Sequence, residues 1–123
     1  MTAPDAIDCI GRLRELAEEN ERLSQTLMTT ERELEAVQVE YDDFMRDHKI
    51  GLWQRAQDDR DFKLPSEDMR TALAQRDMKP ELLGRHRGLT AARDRLSKRQ
   101  QHIKMQAESY RTIISAMKEG LVT

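Results

Sequence analysis

The sequence predicts an all-α protein: a long antiparallel helical hairpin or coiled coil with a short helix between its arms, assembled from more than one copy. Three observations carry this. Among 123 residues, 36% are charged, 37% apolar and 4% aromatic, with 5 Gly and 3 Pro. Abundant Leu, Arg, Glu, Ala and Gln beside scarce Val, Phe and Trp is the composition of helices. Two heptad lines run through the chain, and charge divides between them. The length limits the chain to a single helical domain, residues 1–123. With so little apolar material relative to charge, a wide globule would bury too few side chains to offset the entropy of ordering them.

The first arm is expected at about residues 5–57. Pro4 suits a first helical turn with Thr2 or Ala3 before it, and Asp5 and Asp8 suit the positive end of the helix dipole. From Leu13 the steps alternate between three and four: Leu13, Leu16, Asn20, Leu23, Leu27, Thr30, Leu34, Val37, Tyr41, Phe44. Such steps hold one stripe of a helix, and a sustained repeat of seven makes that stripe an interhelical seam. Asn20 and Thr30 are polar at core positions, where Asn is a register device that needs a partner across the seam. Beyond His48 the pattern degrades, and Asp58, Asp59, Arg60 and Asp61 end it.

Residues 63–68, Lys-Leu-Pro-Ser-Glu-Asp, form the clearest boundary. Pro65 disfavours helix at Leu64, Ser66 is a good N-cap, and two acids follow in the first turn. A short helix is therefore expected at about 66–78. Pro80 restarts the chain as a first-turn residue, giving a third helix at about 80–119 that closes at Gly120. Leu82, Leu89, Leu96, Ile103, Tyr110 and Met117 recur every seven residues there. The second line of this seam is either His86, Arg93, Gln100, Ala107 and Ile114 or Arg85, Ala92, Arg99, Gln106 and Ile113.

Residues 1–48 hold 13 acidic and 5 basic residues, net −8; residues 49–79 hold 6 and 7, net +1; residues 80–123 hold 4 and 9, net +5. The overall −2 thus conceals a dipolar chain. Glu19, Glu33 and Glu40 find their basic complement in the other arm rather than in a parallel copy. Cations not used that way offer a surface to a polyanion. Lys104, Arg111 and Lys118 share one heptad position; Arg95, Lys98, Arg99 and His102 cluster on another flank. Trp53, beside Gln54 and Arg55, is the one exposed stacking platform expected, so any nucleic-acid contact is backbone-dominated.

No chemistry of catalysis is legible. His48, His86 and His102 lack the i, i+4 spacing of a helical metal pair, and phosphate-loop, H-E-x-x-H and G-x-S-x-G patterns are missing. The acidic pairs Asp42-Asp43 and Asp58-Asp59 read as solvated carboxylates, since a helical hairpin offers no apolar cleft. The single Cys9 forbids an internal disulfide and reads as a spectator near a fraying end. The expectation is a non-enzyme with no cofactor, metal or small-molecule substrate. The first residues lack a basic start followed by an apolar run, and no stretch approaches the ~18 to 20 apolar residues of a membrane span, which predicts a soluble, cytoplasmic protein without membrane contact.

The stretch AARDRLSKRQQHIKMQAESYRTIISAMKEG, with the earlier YDDFMRDHKIGLWQRAQDDRDFKLPSEDMRTALAQRD, resembles the small helical phage proteins of the recombination-mediator (UvsY-like) type over about residues 41–120. The likeness lies in helical order, length and charge pattern. It implies a ring-like homo-oligomer in host cytoplasm that holds single-stranded DNA and helps a RecA-like recombinase replace single-strand-binding protein. The positions that carry across are Arg85, Arg87, Arg93, Arg95, Lys98 and Arg99, with Lys49, Arg55 and Trp53 beside them. The acidic, strictly heptad first arm departs from the family pattern. The alternative is a structural or adaptor coiled coil of phage assembly or host takeover, binding a protein partner.

Overall fold

A computed structural model describes residues 6–120. The expected first-turn roles of Pro4, Thr2, Ala3 and Asp5 lie outside the described residues. Three helices and no strand make up the described chain, which is all-α: α1 (Ala6–Asp58), α2 (Glu67–Asp77) and α3 (Pro80–Lys118). The chain divides into two compact units, one formed by residues 6–30 and 92–120, the other by residues 31–91.

In the first unit the opening part of α1 and the closing part of α3 run antiparallel. Arg12 meets Tyr110, Glu19 meets Arg99, and Ser24 meets Gln100. Leu16 and Ile103 are buried, and the other seam members Leu13, Leu23, Leu27, Leu96, Tyr110 and Met117 are half-buried. One chain therefore covers its own seam here. Cys9, placed by its position near a fraying end, is instead among the most deeply buried side chains, at 1% exposure. A small, weakly polar thiol suits such a place.

Asn20 does not act as a register device within the chain: its Oδ1 is buried with no hydrogen-bond partner. Register across this unit is held by Gln100 Nε2, which donates to Ser24 Oγ at 2.8 Å, and by the Glu19–Arg99 pair. Thr30 meets its polar need locally, its hydroxyl donating to the Thr26 carbonyl one turn back at 2.9 Å. α3 ends at Lys118, and Gly120 follows in the closing turn with a φ of +73°, where glycine is at no steric disadvantage.

The second unit has three helical segments. Met45, Ala74 and Met78 form its centre, with Tyr41, Phe44, Leu82 and Leu83 packed against them. Leu34 and Val37 are also buried, and Leu89 is half-buried. Ser66 caps α2 by accepting from the Met69 amide at 3.3 Å, and Glu67 and Asp68 occupy the first turn. Tyr41 stacks on His86, ring centroids 3.9 Å apart and 6° from parallel. The tyrosine hydroxyl accepts from Gln75 Nε2 at 3.0 Å, and His86 Nε2 lies 2.7 Å from Gln38 Oε1. Of the two edges open to α3, the His86 edge is thus the inward one in this unit, and Arg85 is exposed.

Candidate nucleic-acid interface

The main candidate cations lie on α3, with Lys49 and Arg55 on α1, and each unit holds its own set. In the first unit Arg95, Lys98, Arg99 and His102 stand at steps of three, one and three, one flank of a helix. All four are exposed. At 1.5 Å per residue the flank is about 10 Å long, roughly three nucleotides of a strand at 3.4 Å each. Only Arg99 is held by the acidic arm, its Nε donating to Glu19 Oε1 at 2.9 Å. Arg95 and Lys98 form no ion pair with a described residue. Arg93 is half-buried and reaches only its neighbour Asp94, at 3.4 Å.

Lys104 and Arg111 line a cleft of about 380 Å³ with Leu13, Leu16, Asn20 and Glu108. Its mixed lining and single carboxylate give it no reactive pair of groups. Glu33 and Glu40, expected to find cations in the other arm, form no ion pair with a described residue. The acidic arm thus leaves most of the basic one unneutralised.

In the second unit Arg85 and Arg87 are exposed and without an ion pair to a described residue, whereas the accessory candidates are partly committed inside the chain. Lys49 Nζ donates to Glu67 Oε1 at 2.8 Å, and Arg70 binds the other oxygen of the same carboxylate. Hydrogen bonds from Lys49 first, then from Arg70, push the Glu67 carboxyl down to about 2. Arg55 sits 4.3 Å above the centroid of Phe62, a cation–π contact. Trp53 is 55% exposed. At the other end of α2, Asp77 is likewise pushed down to about 2, chiefly by Arg76 and then by His48, whose Nε2 lies 2.8 Å away.

A groove of about 680 Å³ between α1 and α2, lined by Met45, Arg46, Lys49, Ile50, Trp53 and Arg70 among others, was not anticipated from the sequence. The signal for it was present in the three- and four-residue steps that join Arg46, Ile50 and Trp53. Among the described residues no group of three or more His, Cys, Asp or Glu side chains is placed to hold a metal ion. No described helix is long and apolar enough to cross a membrane. Compared with protein families, with curated proteins and with solved structures, the chain matches none.

Proposed function

We propose that this chain is a non-enzymatic helical protein that binds single-stranded DNA through the cations of α3, acts as a multimer, and assists loading of a RecA-like recombinase. The recombinase role comes from the resemblance to phage recombination mediators. The DNA-binding role is supported by one observation in particular: Arg85, Arg87, Arg95 and Lys98 are exposed and pair with no described carboxylate although the same chain carries a strongly acidic arm. Cations that a fold leaves without carboxylates are available to phosphates, whose counterions they release. Several such helices in one assembly would raise avidity, because the first contact presents the rest at high effective concentration.

Anisotropy of a labelled, unstructured oligonucleotide tests this. Binding at low salt is expected with Kd of about 1 µM or below, weakening steeply as salt rises. Arg95→Glu with Lys98→Glu should flatten the slope of log K against log salt by about 1.4, at ~0.7 for each of two phosphates no longer neutralised. The loading role is read separately, as faster assembly of recombinase on a strand coated with single-strand-binding protein. No binding at low salt ends the proposal.

The adaptor reading draws on the Glu19–Arg99 and Lys49–Glu67 pairs, in which cations are spent inside the chain. It predicts that the double variant leaves any DNA binding unchanged.

A further inference from the structure

The second unit carries another heptad line on α1, turned away from its core. Ala36, Val39, Asp43, Arg46, Ile50 and Trp53 follow one another at steps of three, four, three, four and three, so they share a stripe. All six are exposed, Val39 at 59%, Ile50 at 47% and Trp53 at 55%. Single apolar residues on a surface are ordinary. Their regular recurrence along one line is not, because that is the spacing of a contact between helices. Continued toward the N-terminus the same steps fall on Arg32, Thr29 and Gln25, so the apolar character begins at Ala36.

Along this stripe the order is small, medium, acid, base, medium, large. Reversed, it is its own complement. We infer that the stripe is the contact of an antiparallel homodimer, in which Ala36 faces the partner's Trp53, Val39 faces the partner's Ile50, and Asp43 faces the partner's Arg46. Each meeting occurs twice by the two-fold axis, as a self-complementary patch requires. These are the alternating core layers of an antiparallel coiled coil. A parallel pairing would set Asp43 on Asp43 and Arg46 on Arg46.

Arg46 already binds Asp43 of its own chain at 2.9 Å. In the dimer the two such pairs merge into one alternating network of four charges. The groove between α1 and α2 flanks the same stripe and admits the partner helix at its Ala36–Val39 end, where the small alanine leaves room for Trp53. On the groove side the partner's Asp42 comes level with Lys49. On the other side Glu40 comes level with the partner's Asp47, a like-charged meeting that keeps the association weak.

Sedimentation equilibrium of the full chain over a wide concentration series, with the emission of Trp53 followed in parallel, tests the inference. Trp53 is the single tryptophan, so the emission reports the surroundings of this one position. The expected result is a monomer–dimer equilibrium with a blue shift that tracks the mass. Arg46→Asp and Asp43→Arg should each weaken the dimer about tenfold or more, and mixing the two should restore it, since only the mixed pair is complementary.

Ala36→Arg, outside the charge pair, should also give monomer, with helicity unchanged by circular dichroism. A chain that stays monomeric throughout overturns the inference, as does an Arg46→Asp variant that dimerises like the parent. A blue shift that needs an added oligonucleotide, at constant protein mass, assigns the stripe to nucleic acid and overturns it as well. The inference stands apart from DNA binding by α3: Arg95→Glu with Lys98→Glu should leave the dimer intact.

Discussion

The two units solve the same problem with different means. In the first, two helical segments share one seam, and the buried side chains are few: Cys9, Leu16 and Ile103. Two acceptors in it, Asn20 Oδ1 and Gln106 Oε1, are buried without partners. In the second, α2 packs on segments of α1 and α3, and Met45, Ala74 and Met78 form the centre of that contact. Charge follows this division only in part, since Arg99 of the first unit binds Glu19 while Arg85 and Arg87 of the second bind no described carboxylate. The three-segment unit spends Lys49 of α1 on Glu67 of α2, a carboxylate that Arg70 binds from within α2. The two-segment unit has no third helix to pin, and Arg95 and Lys98 are left for something else. Where a fold spends its cations on its own carboxylates it gains local order; where it does not, it keeps a charged surface.

If the first unit depends on so few buried side chains, truncating one of them should have the largest effect. Leu16→Ala removes a side chain that is 1% exposed and should cost about 2–5 kcal/mol. Urea unfolding followed by circular dichroism measures the loss. Native-state hydrogen exchange locates it, with amides of residues 6–30 and 92–120 losing protection before those of residues 31–91. Equal loss of protection in both units would mean that the chain unfolds as one cooperative body, and the two units would then differ in composition only.

Much of this contrast is written in local sequence. The seam from Leu13 to Phe44, the Ser66 cap, the restart at Pro80 and the stop at Gly120 depend on neighbours within a turn or two, and those are legible as spacing. What spacing leaves open is the identity of the facing residue. His86 and Arg85 are equally placed beside the Leu82–Met117 line, and the aromatic face of Tyr41 decides between them. The same holds for the site. The flank of Arg95, Lys98, Arg99 and His102 follows from helical geometry. That Glu19 takes Arg99 while Glu33 and Glu40 take no described cation depends on the pairing of distant segments. Cys9 escaped for a related reason: nearness to a terminus says nothing about what packs over it.

The second unit should be damaged by excess volume rather than by its loss. Ala74 is fully buried where α2 meets α1 and the start of α3, with Met45 and Met78 against it. Ala74→Leu inserts three heavy atoms into that contact and should cost about 1–3 kcal/mol, read from the midpoint of urea unfolding. The flexible methionines beside it can move, which places the expected cost below that of Leu16→Ala. Loss of protection should now appear first in residues 67–83. A cost near zero would show that α2 rests on the other helices loosely, and that its charges rather than its packing keep it there.

The smallest effect separates those charges from the packing. Glu67 titrates near 2 in the folded chain, against an ordinary value of 4.5, because Lys49 and Arg70 both bind its charged form. A carboxyl with a depressed folded pKa adds stability above its ordinary value and loses it as the pH falls toward the folded one. The contribution of Glu67 is therefore complete above about 4.5 and fades between there and about 2. Asp77, brought down to about 2 chiefly by Arg76 and then by His48, fades in a similar window from its ordinary 3.8.

Both carboxylates lie in water, so each effect is modest and weakens with added salt. Thermal unfolding of the parent and of Glu67→Gln, compared at pH 7 and again between pH 4 and pH 2.5, isolates the Glu67 share. The parent should be the more stable at pH 7, and the gap should shrink as the pH falls. A gap that stays constant with pH would mean that the amide substitution disturbs packing and not charge, and the hold of Lys49 on α2 would then owe nothing to the ionised carboxylate.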